Sequence, residues 1–230
     1  INIYKLIFNM KKLILFGTGY GFKNLVEEIS LINKYKIIGA IDEYLPKNTL
    51  IHKKKNIKVL GKISDLKKMK LKNTYFLIGI GHNFIRKKIV NELKKKKIKI
   101  KWISFFSKST IVAKNVKIGQ GTIIMPGCVI NSGSKIGNHC YINTKSSIDH
   151  DNLINNYSST GPGVVTGGNV KIDECSHVGI GSTVLQKIHI KKNTVIGGHS
   201  LVNKNCISNS IYFGVPAKHI RKRVETEKYL

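Results

Sequence analysis

Every sixth residue from Val112 is aliphatic. The series runs Val112, Ile118, Ile124, Ile130, Ile136, Ile142, Ile148, Ile154, Thr160, Thr166, Ile172, Val178, Val184, Ile190, Ile196, Val202, and 14 of these 16 positions are Ile or Val. Neither a helix, with 3.6 residues per turn, nor a strand, with a period of two, produces that spacing. Four residues after each aliphatic position the chain is usually small or β-branched, as at Thr122, Cys128, Ser134, Cys140, Ser146, Ser158, Val164, Ser176 and Ser182. Asn152 and Ile188 are the exceptions. Gly often follows the aliphatic residue directly, as at Gly119, Gly137, Gly161, Gly167, Gly179 and Gly197.

Such a period describes a triangular prism. Each unit supplies one short strand and one corner, the aliphatic side chain fills the interior, and the small residue fits a tighter inward slot. Gly and Asn are expected to take corner conformations with positive φ. Three units make a coil, so the segment folds into roughly five coils of a left-handed parallel β-helix, a hexapeptide-repeat solenoid. Three of the four cysteines, Cys128, Cys140 and Cys206, fall in the inward slot, and no C-x-x-C pair exists. Packing therefore explains them, and neither zinc nor a disulfide framework is indicated.

The first half reads as a small α/β unit. Lys12–Phe16 is a buried strand running into Gly17-Thr18-Gly19-Tyr20-Gly21, and an amphipathic helix follows over 22–32. Strand, glycine-rich turn and helix N-terminus make a loop that phosphate can approach. The match to G-x-G-x-x-G is imperfect, because Phe22 holds the sixth place. A second strand, 36–41, ends in Asp42-Glu43, 25 residues after Gly17, near where an acidic residue meets a ribose hydroxyl in dinucleotide folds. A third, 75–80, ends in Gly81-His82-Asn83 and leads into a basic helix over 84–97. The expected organisation is an extension over 1–9, a Rossmann-like domain over 10–101, a linker over 102–110, the β-helix over 111–207 and a C-terminal segment over 208–230.

Charge adds a constraint. With 40 Lys and Arg against 12 Asp and Glu, the net charge is +28, which points to anionic partners such as nucleic acid, acidic membrane or phosphorylated small molecules. A 41% hydrophobic content excludes a disordered tail protein. No apolar run approaches the roughly 20 residues that span a bilayer. Residues 1–9 lack the ordered features of a signal peptide and read as an upstream extension or frayed arm, so the expected location is the cytoplasm. No aromatic-interleaved basic motif points to nucleic acid.

A Rossmann-like domain ahead of a hexapeptide β-helix resembles the sialic acid O-acetyltransferase type of sugar acyltransferases, closest to the bacterial enzymes that N-acetylate UDP-4-amino-4,6-dideoxy sugars in bacillosamine synthesis. The resemblance spans Met10–Arg223 and rests on Gly17-Thr18-Gly19, Ile78-Gly79-Ile80-Gly81, Asn143-Thr144, Ile148-Asp149-His150-Asp151, Gly167-Gly168-Asn169-Val170 and Gly214-Val215-Pro216-Ala217-Lys218. It implies a homotrimer with active sites between subunits, acetyl-CoA as co-substrate, a nucleotide-linked amino sugar as acceptor, no metal, and a role in bacterial surface glycan or glycoprotein synthesis.

Acetyl transfer requires an acceptor amine or hydroxyl to lose a proton as it attacks a thioester. A histidine of near-neutral pKa suits that role, and a neighbouring carboxylate orients its ring. His150 is flanked by Asp149 and Asp151, and spacing alone does not choose between them. The resemblance assigns His150 as general base and Asp151 as its support. It places Gly17, Thr18, Gly19, Asp42, Glu43, Gly81 and Asn143 at the substrate, and Ser159, Gly168, Ile180 and Gly198 at acetyl-CoA, with backbone N–H groups around Gly168 polarising the thioester carbonyl. Ser159 departs from the family, which often has a second His nine residues after the first. His139, His177 and His199 read as surface or subunit-interface residues, with His82 near the expected sugar site.

Three readings compete: N-acetylation of a nucleotide-linked amino sugar, with UDP favoured; O-acetylation of a sugar hydroxyl; and a catalytically silent nucleotide-sugar-binding trimer, which Ser159 keeps open and the His150-Asp151 pair argues against. Zinc-dependent chemistry on a β-helix would need a tight three-His set, and the spacings contain none.

Overall fold

The computed structural model describes residues 10–19 and 21–229; the expected extension over 1–9 lies outside the described residues. The chain divides into two compact units, one made of residues up to Ile80 with Lys88–Ile103, the other of Gly81–Lys87 with Ser104–Leu230.

The first unit is a sheet of six strands in the order β3-β4-β2-β1-β5-β6. These are β1 (Lys11–Phe16), β2 (Tyr35–Ile41), β3 (Leu50–His52), β4 (Ile57–Gly61), β5 (Thr74–Ile78) and β6 (Lys101–Trp102). All neighbours run parallel except β3 against β4. Strand β1 is central and Leu13–Phe16 are buried, as a strand covered on both faces requires. The helix Phe22–Leu31 buries Phe22, Leu25, Val26 and Ile29, one stripe at i, i+3, i+4 and i+7.

The β3–β4 hairpin and the 3-10 helix Ile63–Lys68 are not visible in the sequence pattern. The lysines at 53–55 hide the hairpin, because they form its turn, closed by Asn56 at φ 47°. Lys55 and His52 from this hairpin reach Glu27 at 3.4 and 3.0 Å.

The second unit is the left-handed β-helix. Its first face stacks Phe105–Phe106, Ile123–Ile124, Tyr141–Ile142, Ser159–Thr160, His177–Val178, Val195–Ile196 and Ser210–Phe213, with Lys218–Lys222 antiparallel at the end. The second face runs from Ile111–Val112 to Leu201–Val202, and the third from Lys117–Ile118 to His189–Ile190. Regular rungs thus begin at Phe105, inside the segment expected as linker, and Lys101–Trp102 closes the first unit's sheet. Aromatic residues at 102, 105 and 106 conceal both elements from an Ile/Val period.

The six-residue period has two physical components. The aliphatic column, Ile124 to Val202, forms one continuous buried core. The small inward residues do more than fit: hydroxyls and thiols there donate to carbonyls of the following coil. Thr122 reaches Gly137 O at 2.7 Å, Ser134 Asp149 O at 2.7 Å, Ser158 Asp173 O at 2.7 Å, and the Cys128 and Cys140 thiols reach Asn143 O and Asn155 O at 3.0 and 3.1 Å. Burial pushes these two thiols up to about 11, so they remain inert donors.

The corners correct one expectation. Positive φ does not fall on the glycines that follow the aliphatic residue. It falls two residues later, on every sixth residue from Gly121 to His199, including Cys175 at 61° and Asp151 at 55°. Glycines such as Gly119, Gly161 and Gly167 are required for close approach, because a Cβ there would overlap the backbone of the next coil.

Candidate active site

His150 lies on the corner between the second and third faces, after the rung Ser147–Ile148. The left-handed backbone of Asp151 sets its carboxylate beside the preceding side chain, and Asp151 Oδ2 stands 2.9 Å from His150 Nδ1. Asp149 acts elsewhere. Its Oδ1 accepts the His150 backbone N–H at 2.8 Å and Asn131 Nδ2 at 3.0 Å. The geometry therefore separates the two aspartates, one on the ring and one on the main chain. The Asp151 hydrogen bond raises the His150 pKa above the ordinary value, and the Asn131 hydrogen bond lowers that of Asp149.

With Nδ1–H donated to Asp151, Nε2 carries the lone pair. The ring packs against Gly168 on the next coil, where a Cβ would overlap Nε2 and Cε1. The Gly168 carbonyl accepts from Lys187 N at 2.9 Å, and the Gly168 N–H has no acceptor among the described residues. An imidazole base and a spare N–H donor thus share one corner column.

Asn143, Ile180 and Gly198 occupy the other edge of the second face, on the corners that follow first-face rungs. Asn143 Oδ1 accepts the Thr144 N–H at 2.8 Å, Ile180 is exposed, and Gly198 lies one coil beyond Ile180. One chain therefore holds the candidate residues on two edges of one face.

Ser159 departs from its expected cofactor role. It is buried on the first face and its Oγ is 2.8 Å from His177 Nδ1. His177 is half-buried: Tyr229 stacks on it at 4.4 Å, and burial lowers its pKa to about 3, so the ring is neutral. The other face of Tyr229 stacks on His82 at 4.7 Å, and His82 Nε2 lies 3.1 Å from Glu227 O. His139 is buried against Tyr157. The cause is shared: residues 81–87 and the segment ending at Tyr229 cover this face of the solenoid. Arg86 anchors the cover, donating to the carbonyls of His139, Gly81, Tyr157 and Ser158 at 2.8, 2.6, 2.9 and 3.3 Å and to Asn83 Oδ1 at 2.6 Å. Gly81 thus serves this anchor. Of the expected surface histidines, His199 alone is exposed.

In the first unit Gly17 has φ 83°, and a Cβ there would overlap Ile80. Gly19 and Gly21 face open space, and no side chain caps the helix Phe22–Leu31. Asp42 is less available than expected: Oδ2 accepts from Thr18 Oγ1 at 2.7 Å, and Oδ1 accepts from Tyr44 N and Leu45 N at 2.9 and 3.1 Å. Glu43 accepts the Ile63 N–H at 2.8 Å. Both acids hold loops, and Thr18–Asp42 ties the glycine turn to the end of β2.

A second histidine–carboxylate pair on the solenoid, His189 Nε2 to Asp173 Oδ2 at 2.7 Å, escapes a reading of the sequence because 16 residues separate its members. It sits among Asn155 and Lys171, which take the other Asp173 oxygen at 3.0 and 3.6 Å. No group of three or more metal-ligating side chains occurs among the described residues.

Residues 12–93 match the PglD N-terminal domain family, and residues 115–150 match the bacterial transferase hexapeptide family of six repeats. A segment similar to the PglD N-terminal domain thus precedes one similar to the hexapeptide repeats. This two-domain arrangement recurs in solved structures. A variant of GDP-perosamine N-acetyl transferase from Caulobacter crescentus, in complex with CoA and GDP-perosamine, superposes with a TM-score of 0.82 at 22% identity, covering 92% of this chain and 97% of that one. The acetyltransferase domain of PglB from Neisseria gonorrhoeae, in complex with acetyl coenzyme A, gives 0.81 at 22%, covering 92% and 100%. WeeI from Acinetobacter baumannii gives 0.80 at 23%, covering 90% and 99%. These likenesses establish the fold of both domains. No helix among the described residues is long and apolar enough to cross a membrane.

Proposed function

We propose that this chain is an acetyl-CoA-dependent N-acetyltransferase acting on the 4-amino group of a nucleotide-linked amino-deoxy sugar. The observation that carries the proposal is the His150–Asp151 pair, with the ring set against Gly168 and its unengaged N–H. Proteins of the same fold support the substrate class, since one is bound to CoA with GDP-perosamine and another to acetyl coenzyme A.

Acetyl-CoA, when bound, supplies the thioester. His150 Nε2 takes the proton of the attacking amine, Asp151 keeps the ring in the tautomer that can accept it, and Asp149 fixes the His150 main chain. The Gly168 N–H is placed to donate to the carbonyl oxygen as charge builds on it. The turn at Thr18–Gly19 and the uncapped helix N-terminus offer backbone N–H groups to the phosphates, the Gly17 N–H being taken by Ile41 O at 2.9 Å.

A homotrimer completes this reading. The outward positions of the second face, Ile111, Val129, Ser147, Val165, Thr183 and Leu201, carry no charge, whereas the third face presents Lys117, Lys135 and Lys171. A copy seated on the second face would bring the Asn143, Ile180 and Gly198 edge of one subunit to the His150 edge of the next.

Thiol release from acetyl-CoA, measured against UDP-, GDP- and dTDP-linked 4-amino sugars and against free and CMP-linked sialic acids, tests the proposal. Turnover with one of the amino sugars is expected. Turnover confined to sialic acids would replace it with O-acetylation, and none with any acceptor would favour a binding trimer. In the same assay Gly168→Ala should lower kcat about 100-fold without unfolding the chain, because its methyl group displaces the His150 ring.

A further inference from the structure

We propose that Asn152 and Thr166 are positioning residues for His150, placed inside the solenoid where the repeat is broken. The proposal rests on the reading of His150 as the base.

Thr160 and Thr166 are the only two polar residues in the aliphatic series, and Asn152 is the only amide in the inward slots. All three are buried, and the contacts of each go to a corner that carries a candidate residue. Thr160 Oγ1 accepts the Asn143 N–H at 3.1 Å. Thr166 Oγ1 accepts the Asp149 N–H at 3.2 Å. Asn152 Nδ2 donates to the carbonyls of Asp149, His150 and Gly167 at 2.9, 3.1 and 2.9 Å. Its backbone N–H meets Ser134 Oγ at 3.0 Å, and that hydroxyl donates to Asp149 O at 2.7 Å.

Two features separate this from ordinary packing. First, Asn152 Oδ1 is buried with no partner. A Ser in that slot makes the bond to the next coil and leaves no orphaned acceptor, as Ser134, Ser146 and Ser158 do. The amide therefore carries a desolvation cost that the repeat does not require. Second, the bonds it adds, beyond the one to Gly167 O that a Ser would also make, go to the Asp149 and His150 carbonyls at the His150 corner. Gly167 C=O and Gly168 N–H belong to the same planar trans unit, so they point in opposite directions. By holding Gly167 O inward, Asn152 turns the Gly168 N–H outward, on the side where His150 packs. A single buried amide thus ties the His150 corner to the peptide that carries the spare donor, a link that a Ser bonded to Gly167 O alone does not make.

Asn152→Ser and Thr166→Val each restore the pattern of the repeat, and they give the test. Steady-state kinetics, thermal unfolding and pH profiles would be compared for both variants, with His150→Ala as control. Unchanged or higher thermal midpoints are expected, with kcat about 10-fold lower, KM for acetyl-CoA within about twofold, and the pH inflection unmoved because the Asp151 contact remains. Wild-type kcat in both variants, with His150→Ala inactive, would overturn the positioning role alone. A fall in kcat matched by a fall in thermal midpoint would overturn it too, since a merely structural role produces that pattern. Wild-type turnover by His150→Ala would remove the base, and this proposal with it.

Discussion

His150→Ala should fold as the parent does and lose acetyl transfer by about 10²- to 10⁴-fold, the usual worth of a positioned general base. The side chain is more than half exposed, and no core residue leans on it, so circular dichroism and thermal midpoint should be unchanged. The pH dependence gives an independent signature. The active form is the neutral ring, so the rate rises with pH through the His150 pKa. The Asp151 hydrogen bond raises that pKa, which places the acid limb of kcat/KM above the ordinary histidine value of about 6.5. Asp151→Asn removes the raising cause. Its acid limb should move to lower pH while its plateau falls, and a limb that stayed in place would dissociate Asp151 from the titration. Asp149→Asn should shift the limb less, because Asp149 bonds the main chain and not the ring.

Arg86→Ala should be the most destabilising single change in the second unit. The guanidinium is buried and donates to four carbonyls and one amide oxygen that link residues 81–83 to the solenoid corners at 139 and 157–158. Truncation strands those acceptors away from water. Each buried acceptor left unsatisfied costs about 1–3 kcal/mol, so the loss amounts to several kcal/mol. That corresponds to a fall of the order of 10 °C in unfolding midpoint for a chain of this size. Urea titration followed by far-ultraviolet dichroism measures it. Arg86→Lys should recover only a part, since an ammonium has three donors and no planar fork.

The contrast between Arg86 and the hexapeptide series explains what the sequence makes legible. Local spacing dictates the solenoid: Ile142, Ile148 and Ile154 announce an interior regardless of what lies elsewhere in the chain. His150 and Asp151 are adjacent, so their pairing is visible. The choice between Asp149 and Asp151 is not, because it depends on the left-handed φ at 151, which every sixth residue shares irrespective of its type. Contacts across long separations leave no trace. Arg86 looks like one more cation in a Lys-rich helix, and only its bonds to His139, Tyr157 and Ser158, 53 to 72 residues away, reveal its role. The cover over Ser159 and His177 is hidden for the same reason, since Tyr229, far along the chain, stacks over this face. The surplus positive charge is now better placed. Arg86 is a buried anchor, Lys117, Lys135 and Lys171 line one solenoid face, and the candidate site uses backbone N–H groups rather than cations.

The strand Lys218–Lys222 has a consequence for assembly along the solenoid axis. It pairs on one side with Ser210–Phe213 and runs against the direction of every rung before it. Without it, the first face would end in a parallel strand with open N–H and C=O groups, a template on which another copy could continue the stack without closure. The strand is exposed throughout and carries Lys218, Arg221 and Lys222 within five residues. An antiparallel, basic last strand therefore offers a poor template for the parallel first rung of another copy.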